Sequence, residues 1–180
     1  MKPKSVLDAI AVCLNNKSDF SGEVLKEALK TMLTEEVPPN ALMRTAILSA
    51  QSFGEVKRYV LSDVIPHLVR KKVWVVAPKL WDGVVYGAKN LAAKDNKNSE
   101  LTLRALLGVP AAQLRSLLAV APDVKQAMGK LLKTLSTEER IDVVSGKWAG
   151  LLEDGTTESA GALSEEKAAL IKDIAATGTI

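Results

Sequence analysis

Apolar residues recur at helical spacing along almost the whole chain, and prolines stand where the runs begin or break. That combination reads as a succession of helices joined by short turns. The cleanest run is Val24, Leu25, Ala28, Leu29, Met32 and Leu33, an i, i+1, i+4, i+5, i+8, i+9 pattern. It places one apolar face opposite Glu23, Lys26, Glu27 and Lys30. Pro38 and Pro39 end it, because the residue before a proline avoids the helical region. Ahead of it, Val6, Leu7, Ile10, Cys13 and Leu14 predict a first helix over 5–15.

Beyond the proline pair, Leu42, Met43, Ala46, Ile47, Ala50 and Phe53 predict a third helix with Gly54 as its C-terminal cap. Val56, Val60, Leu61, Val64, Ile65 and Leu68 form a fourth. Pro66 lies inside it and should bend the helix about one turn earlier, where its missing amide leaves a carbonyl unpaired. Val73–Val76 (VWVV) is the one short β-like run. With no partner strand elsewhere it reads as an extended connection. Pro78 starts a fifth helix reaching Ala92, and a polar loop, KDNKNS, follows. Three more helices cover 101–107, 110–121 and 122–135, with Pro110 and Pro122 in tolerated first-turn positions. Ser136 and Glu139 form a capping box for a helix bearing Trp148, and Ser164 caps a last one through about Ala176.

The fold class is therefore all-α with about ten helices, whose antiparallel pairs imply a HEAT-like stack, an α-solenoid. No sequence repeat of fixed period is visible. The expected partition is a helical domain over 1–152, a flexible linker over 153–163 and a C-terminal amphipathic helix over 164–180. Aromatic residues make up only 4% of the chain, so Leu, Val, Ala and Ile must build the core. No apolar run approaches the roughly 20 residues that span a bilayer. The basic, then apolar N-terminus is interrupted by Asp8 and lacks a small-residue cleavage site, unlike a signal peptide.

Enzyme chemistry finds no foothold in the motifs. His67 is the sole histidine, and Cys13, the sole cysteine, lies in a different helix. No G-x-S-x-G elbow, P-loop or G-x-G-x-x-G is present, and metal-ligand spacing is missing. The expectation is a non-enzyme without cofactor or metal. Cys13 reads as a buried thiol, fitting a reducing compartment. Trp74, Trp81 and Trp148 fall at apolar positions and read as core anchors. Acidic doublets at 138–139 and 165–166 suit first helical turns.

Charge is uneven. Residues 1–40 carry five Lys/Arg against six Asp/Glu, residues 41–135 fifteen against six, and residues 136–180 four against nine. The basic middle points to an anionic partner. Lys57, Arg58, Arg70, Lys71, Lys72 and Lys79 lie on or beside two neighbouring elements and form the expected partner-binding patch. A small helical RNA-binding module is the competing reading, although interleaved aromatics are lacking.

Several of these residues also carry a resemblance. A proline pair precedes Met43-Arg44-Thr45, and a helix then ends in Lys71-Lys72-Val73-Trp74. Leu80-Trp81-Asp82-Gly83 follows, and later Leu106-Leu107-Gly108-Val109-Pro110-Ala111-Ala112-Gln113-Leu114, with Ala121-Pro122 beyond. In order and spacing these resemble the C-terminal domain of the symplekin family over about Val24–Leu135. Pro66, the VWVVAP spacing and residues 136–180 depart from that pattern.

The resemblance implies a nuclear, HEAT-like scaffold of the machinery that cleaves and polyadenylates pre-mRNA 3′ ends. Its implied partners are the endonuclease subunit of the cleavage and polyadenylation specificity factor and that subunit's inactive homologue. The family's N-terminal repeat domain does not fit in 180 residues, so the chain is expected to be a fragment or shortened relative of a longer scaffold. Arg44 and Thr45 read as structural, with the Arg44 guanidinium tying neighbouring helix ends through several hydrogen bonds.

Overall fold

A computed structural model describes residues 19–136 apart from 94 and 96, together with residues 10, 12 and 16. These described residues form eight helices and no strand. Seven of the ten expected helices fall among them and all seven are present. The eighth, at 73–76, was not expected. Most of the first expected helix with Cys13, the helix bearing Trp148, the linker and the last amphipathic helix lie outside the described residues. The chain divides into two compact units, residues 1–87 and 88–180.

In the first unit, α1 spans Gly22–Thr34, and Ser21 caps its start, its side chain accepting from the Val24 amide at 3.5 Å. Its buried stripe is narrower than the sequence pattern: Leu25, Leu29 and Leu33 are inside, while Val24 and Ala28 are exposed and Met32 is half-buried. The four-residue step keeps the three leucines on one face of a helix that packs against both of the next two helices, and burying each stabilises by about 1.5–3 kcal/mol.

Helix α2 spans Leu42–Ser52 and buries Leu42, Met43, Ala46, Ile47 and Ala50. Gly54 is not its cap. Phe53 turns extended (φ −134°, ψ 117°), and Gly54 is the first residue of the next helix. A residue that can turn the chain in the β-region needs no left-handed glycine after it.

Helix α3 is continuous from Gly54–Tyr59 through a π-helical segment, Val60–Val64, into Ile65–Arg70. The Ile65 amide reaches back to the Val60 carbonyl, one turn before Pro66, so the expected disturbance takes the form of a widened turn. The widening also serves the core. Val56, Val60, Val64 and Leu68 step by four residues, which overshoots a 3.6-residue turn and would carry the stripe off the core face. A π turn holds more residues and takes that drift out, so all four are completely buried.

Lys72 then adopts the left-handed conformation (φ 51°, ψ 46°) and reverses the chain. The VWVV run is a one-turn helix, α4 (Val73–Val76), and not the extended connection expected. Without a neighbouring strand its backbone groups must pair locally. They do: the Val75 amide donates to Lys72 and the Ala77 amide to Val73, both at 2.9 Å. Helix α5, Pro78–Gly87, closes the unit with Leu80, Trp81, Val84 and Gly87 buried.

The second unit opens with a π-helical segment, Ala88–Ala92, so the fifth run of the sequence ends in a wider turn than an α-helix has. Asp95 orders the polar loop by accepting from the Asn98 amide at 3.1 Å. Helices α6 (Glu100–Leu107), α7 (Ala111–Val120) and α8 (Pro122–Thr134) follow. Their core is Leu103, Leu106, Leu114, Leu117, Val124, Met128 and Leu132. Pro110 is the N-cap of α7 and Pro122 opens α8, each where a missing amide costs nothing.

Candidate partner-binding groove

Helices α2 and α5 approach closely because α5 carries glycine where α2 carries Met43. A Cβ on Gly83 would fall 2.6 Å from that of Met43, and one on Gly87 would fall 2.7 Å from the Met43 Cε. The first distance sets Cβ against Cβ, which no rotation relieves, so the packing requires glycine at 83; at 87 the atom in the way is the tip of a flexible side chain that can swing aside. Met43-Arg44-Thr45 and Leu80-Trp81-Asp82-Gly83, separate in the sequence, thus meet at one contact.

An open groove of about 490 Å³ runs beside that contact. Buried Met43 and Ile47 line it together with Gly83, while Arg44, Lys79 and Tyr86, all exposed, also border it. Asn40, Leu48 and Gln51 complete the lining, and none of the lining residues is a carboxylate.

Arg44 does not tie helix ends together. It is exposed, and its side chain makes no hydrogen bond or ion pair among the described residues, because the position after Met43 points away from the face that packs inward. Thr45 does turn inward: it is buried, and its hydroxyl donates to the Ala41 carbonyl at 3.0 Å. Trp81 is buried and meets half-buried Trp74 edge to face, ring centres 5.6 Å apart at 74°. Trp148 lies outside the described residues.

The six cations expected to act together are not one cluster. Lys57 and Arg58 sit in the first segment of α3 and Arg70 at its last residue, roughly 18 Å away along the helix at 1.5 Å per residue. Lys71 is already engaged: its ammonium donates to the carbonyls of Leu33 at 2.9 Å and Glu35 at 2.7 Å, capping the C-terminal end of α1. Arg70 and Lys72 are exposed beside it, and Lys79 borders the groove. The pairing of Arg44 with Lys79 across the groove was missed in the sequence. The available signal was that each stands next to one of the two motifs that meet there.

His67 has its Nε2 buried without a hydrogen-bond partner. Burial, and then the charges of Lys71 and Arg70, hold its pKa below the ordinary 6.5. Among the described residues no group of three or more His, Cys, Asp and Glu side chains could hold a metal ion, and no helix is long and apolar enough to cross a membrane.

The described residues thus form an all-helical frame with a groove bordered by exposed Arg44 and Lys79. The family described as "Symplekin tight junction protein C terminal" matches residues 1–121, and the chain belongs to that family. The match starts ahead of the resembling stretch at Val24 and stops short of Leu135. No solved structure matches the chain.

Proposed function

We propose that the chain is a non-enzymatic scaffold domain of the pre-mRNA 3′-end cleavage and polyadenylation machinery, working in the nucleus. Family membership supports a scaffold role in mRNA 3′-end processing and protein partners within that complex. The observation that carries the finer reading is the α2–α5 joint, where the two family motifs meet beside an open groove. Its helices form part of a HEAT-like stack whose outer ridges receive partners. Those partners are the endonuclease subunit of the cleavage and polyadenylation specificity factor and its inactive homologue. The exposed cations Arg58, Arg70, Lys72 and Lys79 steer an acidic segment of such a partner, speeding encounter more than deepening affinity.

Mixing the chain with the C-terminal regions of the endonuclease and its homologue tests this directly. Co-elution as one complex on size exclusion is expected. Failure to co-elute, combined with submicromolar RNA binding that weakens steeply with salt, would instead establish the RNA-binding reading favoured by the basic middle of the chain.

A further inference from the structure

We infer that the groove between α2 and α5 receives an acidic amphipathic helix of a partner protein, its aliphatic row on Leu48, Gly83 and Tyr86 and its carboxylates on Arg44 and Lys79. The inference rests on the scaffold reading and names what the groove binds.

Three observations select that occupant. First, the groove carries two exposed cations, Arg44 from α2 and Lys79 from α5, and neither is engaged by a carboxylate of the described chain. A ligand bearing negative charge on both flanks meets both at once, and one bearing positive charge meets neither. Second, the accessible apolar part of the lining is exposed Tyr86 with half-buried Leu48 and Gly83, over a floor of buried Met43 and Ile47, so aliphatic side chains have an apolar surface to lie on. Third, the described residues offer no sheet edge, so an incoming backbone must satisfy its own hydrogen bonds, as a helix does and a strand does not.

The second unit provides a contrast. Its open groove of about 320 Å³ beside Leu103 and Leu131 is bordered by Glu100 and Lys130, charges of both signs, and so selects no sign of ligand.

The test uses the full chain and two fluorescent helical peptides. One carries Leu at i, i+3, i+4 and i+7 with Glu elsewhere, and its counterpart carries Lys in place of every Glu. Anisotropy should show the acidic peptide binding about tenfold tighter, the effect of two exposed ion pairs made or opposed. The Tyr86 ring NMR signals should move on titration. The charge-swapped variant Arg44→Glu/Lys79→Glu, with its fold checked by circular dichroism, should reverse the preference.

Equal affinity for the two peptides, an unchanged preference in the swapped variant, or displacement of the acidic peptide by single-stranded RNA would each overturn the proposal. Co-elution of the swapped variant with the partner regions, despite a lost peptide preference, would remove the groove and leave the scaffold reading standing. Absent co-elution of the unmodified chain would remove the scaffold reading, while the peptide preference would still decide the groove.

Discussion

Lys71 and Arg44 carry the same charge on neighbouring helices, and their surroundings give them opposite roles. The Lys71 ammonium bonds two carbonyls that the end of α1 would otherwise leave without a helical donor. Lys71→Ala should lower stability by about 1–2 kcal/mol in urea titration, and Lys71→Glu should cost more, since it sets a carboxylate against those oxygens. Arg44→Ala should change stability by no more than about 0.5 kcal/mol, as for other exposed positions. His67 adds a pH dependence. Its folded pKa lies below 6.5, so the unfolded chain binds more protons between the two values and stability rises with pH there. The contribution is complete above about pH 6.5 and is lost as the pH falls toward the depressed folded value. Urea midpoints across pH 5–7.5 should therefore decline less toward acid in His67→Gln than in the unmodified chain.

Among the elements, α3 shows how a stripe with the wrong spacing for an α-helix still reaches the core. Its end depends on one strained residue. Lys72 is the only non-glycine residue described at positive φ, a conformation that costs an L-residue about 1–2 kcal/mol. Glycine removes that cost but gives the unfolded chain more freedom. Lys72→Gly should therefore stabilise by about 0.5–1 kcal/mol net, seen as a raised Tm with unchanged helicity. The same residue explains why VWVV could not be read correctly. Three β-branched valines favour a strand, but a strand needs a neighbour, and a chain reversed at Lys72 between two helices has none. Locally paired amides were the remaining solution.

Over the whole molecule, the helices were legible because their apolar residues repeat at helical spacing and prolines mark their starts. The narrow stripe of α1 was less so: Val24 and Ala28 are apolar, and nothing in the spacing says that only Leu25, Leu29 and Leu33 find a neighbour. The place of Lys71 in the six-cation patch was obscured for a related reason. Proximity in sequence placed Lys71 with Arg70 and Lys72, while a contact to α1, over thirty residues earlier, decided what its ammonium does. The groove required knowing which two helices touch, and that depends on the absence of a Cβ at Gly83. Since the Met43 Cβ occupies the space a Cβ at position 83 would need, any side chain at 83 must push the two helices apart. Shortening Met43 to alanine would not relieve the clash, because the atom in the way is the Cβ that alanine keeps. The distance between α2 and α5, and with it the width of the groove, is thus set by one carbon atom that position 83 does not have.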